Sequence, residues 1–423
     1  MRDGSIRTSN PLAFTINPGG WESIATQAAQ PFASGSAIVT CQNRDALSSI
    51  SIQALFSFHD AAGQKVGEAA VIPDPVGDIL IDQRLGERLG FSAVNNTSSS
   101  MSCSVTVRDR SATRVGNTRS FTLSNRGGRV SNFVDELLGS SLPSGFVGKV
   151  TLSCGVMVGG DLYAPSYFGL DDPSGIGLRF SGSLFSTVRF SGARASKHVL
   201  PQIADGRFPD GSYYVTAIHV LSGNDRATCQ LQFRGLSPQF TLRDGSPRTE
   251  NPLLFSLNSA DWQLISTTGL QTFSSGYAVL ECDNSVSAQA VYSFFSANGQ
   301  KIGEAAVVSD RLPGGQIILD QRQGERFGLA IANNGTSSSN CSLEVRDSNA
   351  SLVTTASFAI PSRTTLTTFV DEIVNSPLPS GFLGRASVSC NATDIYPIGL
   401  RFTGSLFSTM RLGICEVGCR ERP

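Results

Sequence analysis

The sequence contains itself twice. Arg2-Asp3-Gly4-Ser5 returns as Arg243-Asp244-Gly245-Ser246, Asn10-Pro11-Leu12 as Asn251-Pro252-Leu253, and Trp21 as Trp262. Gly63-Gln64-Lys65-x-Gly67-Glu68-Ala69-Ala70-Val71 returns over 299–307, and Asp82-Gln83-Arg84-x-Gly86-Glu87-Arg88 over 320–326. Further on, Phe133-Val134-Asp135-Glu136 returns as Phe369-Val370-Asp371-Glu372, and Leu142-Pro143-Ser144-Gly145-Phe146 over 378–382. Ile176-Gly177-Leu178-Arg179-Phe180 returns over 398–402, and Leu184-Phe185-Ser186-Thr187 over 406–409. Ordered matches along most of both halves mean a tandem duplication, so one copy's fold must serve for the other.

The offset between copies falls from 241 to 222 along the chain. Each step is an insertion between matched blocks, which marks a surface loop. The largest lies in the first copy, between Gly155 and Ser174. One segment, 191–240, has no counterpart at all. Its runs Ser212–Leu221 and Ala227–Phe233 are apolar or alternating at strand length, with Gly223-Asn224-Asp225 between them. That pattern predicts a β-hairpin present in the second copy and missing from the first.

Strand-length runs recur throughout, among them Ala37–Cys41, Ser51–Phe58, Ser104–Arg108 and Lys149–Ser153. Ser104–Arg108 reads polar, apolar, polar, apolar, polar, the period of a half-buried strand. Gly, Asn, Asp, Ser and Pro separate the runs, and the one helix candidate is short, around Phe133–Leu138. The expectation is an all-β chain of tandem immunoglobulin-like β-sandwiches, two per repeat, the first lacking its N-terminal hairpin. The expected units are 1–73 (incomplete), 77–190, 197–310 and 315–412, followed by a Cys-containing tail over 413–423.

Composition narrows the function. Of 423 residues, 40% are hydrophobic and 16% charged, and the net charge is −1. Without a basic excess, a nucleic-acid surface or a polybasic membrane surface is not expected. No apolar run of about 18 residues suggests a transmembrane segment, and the first residues show no apolar signal-peptide core.

Nine cysteines are present. Only three histidines exist, none at zinc spacing from a Cys pair, so no metal site is expected and disulfides are the better reading. With pairing confined to one sandwich, Cys103 joins Cys154, Cys341 joins Cys390 and Cys229 joins Cys282. Cys415 and Cys419 would close a short loop. Cys41 is the counterpart of Cys282 and lacks the segment that carries Cys229, so it is expected unpaired or intermolecular. Such bonds point to an oxidising, extracellular or cell-surface setting.

Three blocks resemble a module of secreted and surface-exposed bacterial proteins, itself uncharacterised. They are His198-Val199-Leu200-Pro201-Gln202-Ile203-Ala204-Asp205-Gly206, Phe369-Val370-Asp371-Glu372 with Leu378–Gly384, and Gly399-Leu400-Arg401-Phe402 with Phe407-Ser408-Thr409. The resemblance spans about 198–410 once and the earlier part again without its opening. It implies a tandem extracellular β-sandwich array and no catalytic residue; the many cysteines depart from the module.

Site chemistry is sparse. There is no G-x-S-x-G and no H-E-x-x-H, and none of His59, His198 and His219 recurs between copies. No catalytic residue and no cofactor are expected, and His219 reads as a packed or surface residue. Asp135-Glu136 and Asp371-Glu372 could offer calcium oxygens but lack the loop spacing; they fit better at the start of a short helical turn. Asp82/Glu87 with Arg84/Arg88, and Asp320/Glu325 with Arg322/Arg326, read as surface turns with compensating charges. The Trp21/Trp262 pair reads as core.

The insertion loop, with Asp161, Tyr163, Tyr167 and Phe168, is the candidate ligand contact. The combined expectation is a non-enzymatic structural or adhesive protein of the bacterial surface. Alternatives are a filament subunit completed by strand donation and a carbohydrate-binding module. Partners would be the protein itself, in a filament or surface array, or a surface glycan or protein.

Overall fold

The computed structural model describes residues 7–16, 21–26, 35–39, 52–71, 74–158, 161–163, 173–191, 194–308 and 310–414. The chain is all-β, with two helices of one turn each among the described residues, and its sheets are antiparallel. Each copy carries one plain two-sheet sandwich. In the first copy, one sheet orders Leu184–Val188, Ser174–Ser181, Arg88–Asn95 and Gly128–Phe133. The facing sheet holds Asp78–Asp82, Val147–Val158, Met101–Asp109 and Arg114–Leu123. The second copy repeats this order from Gly314–Asp320 to Leu406–Met410.

Alternation builds both cores. Met101, Cys103, Val105 and Val107 turn inward from one strand, as Cys341, Leu343 and Val345 do from its counterpart. Their solvent-facing neighbours are polar, so a register slip of one residue would turn each strand inside out. The short helices Val134–Leu138 and Val370–Ile373 begin as the acids suggest. Glu136 accepts from the Phe133 N–H at 3.3 Å, and Glu372 from the Phe369 N–H at 3.2 Å. These carboxylates satisfy orphan donors of the first turn.

The unit around 197–310 is built on one 22-residue strand, Ser274–Phe295. Its first half lies between Ala195–Arg207 and Ala227–Arg234, and its second half between Tyr213–Ser222 and Lys301–Val307. The long strand thus passes from one sheet layer to the other. This corrects the hairpin expectation for 212–234: Tyr213–Ser222 and Ala227–Arg234 do not pair with each other. Ser222 faces Val286 and Cys229 faces Cys282, so both strands line up along Ser274–Phe295. The Gly223-Asn224-Asp225 turn has the composition of a hairpin turn, but long-range pairing with a buried apolar strand wins over it.

Among the described residues three disulfides are present: Cys103–Cys154, Cys229–Cys282 and Cys341–Cys390. Each joins directly opposed residues of neighbouring strands in one sheet, so each clamps a pairing rather than bridging two sheets. Bonds of this kind persist in oxidising compartments. Cys41, Cys415 and Cys419 lie outside the described residues.

In the first copy, Ala54–His59 pairs with Lys65–Val71 in a two-stranded sheet. These strands are the counterparts of the last part of the long strand and of Lys301–Val307. The packing is reciprocal. Strands Lys65–Val71, Leu184–Val188, Lys301–Val307 and Leu406–Met410 meet at the centre of the molecule, two from each copy. No helix among the described residues is long and apolar enough to cross a membrane.

Candidate functional site: twin ion clusters between the repeats

The central meeting of strands holds charge, and it does so twice. In one cluster, Lys65 and Glu68 of the first copy meet Glu325 and Arg401 of the second. Lys65 Nζ lies 3.0 Å from Glu68 and 2.8 Å from Glu325, and Arg401 lies 2.8 Å from Glu325 and also pairs with Glu68. Ser57 and Ser408 each donate a hydroxyl to Glu68 at 2.8 Å, and Lys65 donates to Thr403 at 3.2 Å.

The second cluster exchanges the copies. Lys301 and Glu304 meet Glu87 and Arg179. Lys301 lies 2.6 Å from Glu304 and pairs with Glu87, while Arg179 lies 2.9 Å from Glu87 and 3.2 Å from Glu304. Ser186 and Ser293 donate to Glu304 at 2.5 and 2.7 Å. Each cluster has two cations and two anions, and every one of the eight charged side chains is buried. Buried charges survive only when paired and hydrogen-bonded, which is what the serines complete.

Protonation follows from this. Burial alone would push the Glu304 carboxyl up, but Arg179, Lys301 and Ser186 outweigh it and hold it down at about 2. Burial also works against the Glu68 carboxylate, and Arg401, Lys65 and Ser408 again overcome it, so its pKa lies below the usual range. Burial opposes the Arg179 cation, but Glu304, Glu87 and Asp82 hold it protonated more firmly than water would.

Glycine and phenylalanine set the spacing of the strands. A Cβ on Gly67 would meet the Phe185 ring at 2.6 Å, and one on Gly303 would meet Phe407 at 2.6 Å. Only glycine lets the K-x-G-E strand lie flat on the ring of the L-F-S-T strand. Two rows of rings run outward from these contacts: Phe56, Phe185, Phe180 and Phe133, and then Tyr292, Phe407, Phe402 and Phe369. An arginine closes each row, Arg88 at 3.8 Å over Phe133 and Arg326 at 3.6 Å over Phe369. Cation–π attraction suits that end position.

This corrects the reading of the acidic turns. Asp82–Arg84 and Asp320–Arg322 are indeed compensating pairs, each with contacts at 2.8 and 2.7 Å. Glu87 and Glu325, however, point inward and anchor the clusters. Sequence reasoning used Lys65, Glu68, Arg179 and their copies only to detect the duplication. The signal was present: charges repeated in both copies of a chain with little charge. Their partners lie up to 333 residues away in the other copy, where no local pattern points.

His219 lies beside this region, fully buried, with neither ring nitrogen hydrogen-bonded. Burial, with Arg179 nearby, pushes its pKa down to about 4, so the ring is neutral at pH 7. Trp262 is core, as is Trp21 at 8% exposure. Of the candidate ligand loop, Asp161 and Tyr163 fall in the short strand Asp161–Tyr163 paired to Val156–Val158, their side chains undescribed. Tyr167 and Phe168 lie outside the described residues.

A polar cleft of about 460 Å³ opens elsewhere, lined by Lys197, Arg234, Glu281, Asn334, Arg363 and Asp394 among others. Lys197 stands 3.4 Å from Glu281 and 3.8 Å from Asp394, and Asn334 donates to Asp394 at 3.1 Å. Lys197 and Arg234 come from the segment that has no counterpart in the first copy. Among the described residues, no group of three or more His, Cys, Asp or Glu side chains could hold a metal.

No family model matches the chain, and no curated protein matches it. Among solved structures it is distantly similar to the C-terminal domain of the Streptococcus agalactiae AgI/II polypeptide BspA. Identity there is 12%, over 61% of this chain and 99% of that one, with a TM-score of 0.13. A second is the Bacteroides ovatus SGBP-B of a mixed-linkage glucan utilization locus, in complex with a mixed-linkage heptasaccharide. Identity is 9%, over 70% of this chain and 94% of that one, with a TM-score of 0.10. Overlap of this extent establishes no shared architecture.

Proposed function

We propose that this chain is a non-enzymatic structural or adhesive element of an extracellular surface, whose two repeats are fused into one stiff body. The observation that carries this reading is the reciprocal pair of ion clusters. Eight of the charged residues that recur, Lys65, Glu68, Glu87, Arg179 and their copies, lock copy to copy. A chain of independent beads would have no need of Lys65 against Glu325 or Lys301 against Glu87. Cross-strand disulfides reinforce the same body and suit an oxidising exterior. Protease treatment of intact producing cells, followed by mass spectrometry of the released peptides, tests the reading. Peptides of this chain are expected from unbroken cells; recovery only after lysis overturns it.

A glycan-binding role is favoured by one further observation, the polar cleft. Lysine, arginine, carboxylate and amide groups line it, which are donors and acceptors able to hydrogen-bond hydroxyls. A glycan array probed with the protein and with its Arg234→Ala and Glu281→Ala variants tests this. Signals that both variants lose support the role, and an array without signals overturns it.

A further inference from the structure

The polar cleft has a platform and a wall. The platform is one face of three neighbouring strands, Ala195–Arg207, Ser274–Phe295 and Ala227–Arg234. In the last of these Leu231 and Phe233 turn into the core, so Gln230, Gln232 and Arg234 take the other face. Register sets Lys197 and Gln230 on either side of Glu281, and Arg234 opposite Tyr277. The wall comes from the neighbouring sandwich. Asn334 follows the strand Arg326–Asn333, Asp394 precedes Ile395–Thr403, and Arg363 stands in the turn between Leu352–Ile360 and Thr364–Phe369.

Three cations and two carboxylates line the cleft, and they do not pair off evenly. Both carboxylates are engaged. Lys197 stands near each of them, and Asp394 also accepts from the Tyr396 hydroxyl at 3.1 Å and meets Arg311 at 3.6 Å. The two arginines are not. Arg234 Nη2 donates to the Gln232 amide oxygen at 2.7 Å, but its Nε is buried without an acceptor. Arg363 is exposed, and neither guanidinium meets a carboxylate among the described residues.

Tyr277 ties the two arginines to one place. Its side chain is fully buried, and its hydroxyl has no hydrogen-bond partner. Burial raises the pKa of that hydroxyl, while Arg234 and Arg363 pull it down and Asp394 pushes it up. The hydroxyl is therefore aimed among the charges of the cleft, where both guanidinium groups act on it. Donors left without acceptors are costly, and a guanidinium fork is matched by the paired oxygens of a carboxylate or sulfate.

We propose that the cleft binds an anionic oligosaccharide, with its carboxylate or sulfate on Arg234 and Arg363 and its hydroxyls on Gln230, Gln232 and Glu281. This rests on the glycan-binding reading above and narrows it to acidic sugars. A volume of about 460 Å³ lies within the range of small-ligand sites.

Isothermal titration calorimetry of the full oxidised chain tests this with four probes. They are trigalacturonate, a sulfated galactotriose, neutral galactotriose and tricarballylate, a tricarboxylate without a sugar ring. At least one acidic sugar is expected to bind about tenfold or more tightly than galactotriose, and which one does so names the anionic group. Arg234→Gln and Arg363→Gln should each weaken that binding about tenfold. Arg363 is exposed and outside any ion pair, so its variant should keep the native melting temperature. Arg110→Gln, at an exposed arginine after the first copy's strand Met101–Asp109, should bind as the native protein does. Equal binding of galactotriose overturns the proposal and leaves a neutral glycan site standing. Tricarballylate bound as tightly as trigalacturonate overturns it in favour of a plain anion site. Affinity unchanged in both cleft variants, or lowered as much by Arg110→Gln, overturns it in favour of diffuse charge. No heat from any sugar at about 10 mM, well above a millimolar Kd, overturns both this proposal and the glycan-binding reading.

Discussion

At the scale of residues, the clusters behave as units whose members cannot be removed singly. Taking away Lys301 leaves Glu87 and Glu304 facing one cation, Arg179, without water to replace the loss. Breaking a buried pair in this way costs about 3–5 kcal/mol. Lys301→Met is therefore expected to lower the unfolding free energy by that amount in urea titrations. The double variant Lys301→Met/Glu87→Gln should recover part of it, because the uncompensated charge is gone. His219 gives a second prediction, with a definite sign. Its pKa is about 4 in the fold and near 6.5 in the unfolded chain, so the unfolded state binds more protons between those values. Stability is fully present above pH 6.5 and falls as pH drops toward 4, by on the order of 3 kcal/mol. Glu304 acts lower: its contribution is full above pH 4.5 and is lost as pH falls toward 2. Urea midpoints between pH 7.5 and 4.5 should decline in the native protein and decline less in His219→Phe, where His198, also held neutral by burial, still contributes. An equal decline in both would place the titrating group elsewhere.

At the scale of elements, the strands were legible because alternation and burial say the same thing. Ser104–Arg108 alternates in sequence, and the strand Met101–Asp109 that contains it alternates in burial. Pairing was less legible. The Gly223-Asn224-Asp225 turn has hairpin chemistry, yet both flanking strands pair with Ser274–Phe295, a choice made by apolar residues from 43 (Arg234 to Tyr277) to 82 (Tyr213 to Phe295) positions away. Glu87 was misplaced on a surface turn for the same reason. Its burial depends on Arg179 and Lys301, and neither is near it in sequence. The cysteines escaped this limit because a disulfide needs only two residues in register, and duplication supplied the register. Each bond closes a loop of about 50 residues, worth about 4 kcal/mol in the chain-entropy model. Cys229→Ala/Cys282→Ala should lose up to that amount. Limited proteolysis should then cut within 195–234 first, since that clamp alone ties the unmatched segment to the long strand covalently.

At the scale of the whole molecule, the two copies are not joined equally at all points. Within the second copy one core runs through both sandwiches, from Leu200, Ile218 and Tyr292 to Ala330, Leu400 and Phe407. No seam in it is free to part. The first copy's sandwich has a second core around Ile79, Phe91, Val105 and Leu152, which also takes in Val291 and Ala306 of the second copy. Besides those two residues, the clusters and a smaller apolar patch of Leu80, Val147, Trp262 and Leu264 hold it to the second copy. Lys149 adds a hydrogen bond across that patch, donating to the Ala260 carbonyl at 2.7 Å. Cooperative unfolding therefore hinges on the charges. Cores that share an interface this tight melt together only while the interface is intact. Calorimetry of the native protein should show one transition for both copies. Charge reversal on both sides, Glu68→Lys with Glu304→Lys, puts three cations against one carboxylate in each cluster. The sandwich of the first copy should then melt separately and at the lower temperature, because only apolar contacts and a few hydrogen bonds remain to hold it. The second copy, whose core crosses its sandwiches, should keep a single transition. If the reversed protein still melts in one step, the apolar contacts and not the ion clusters couple the repeats.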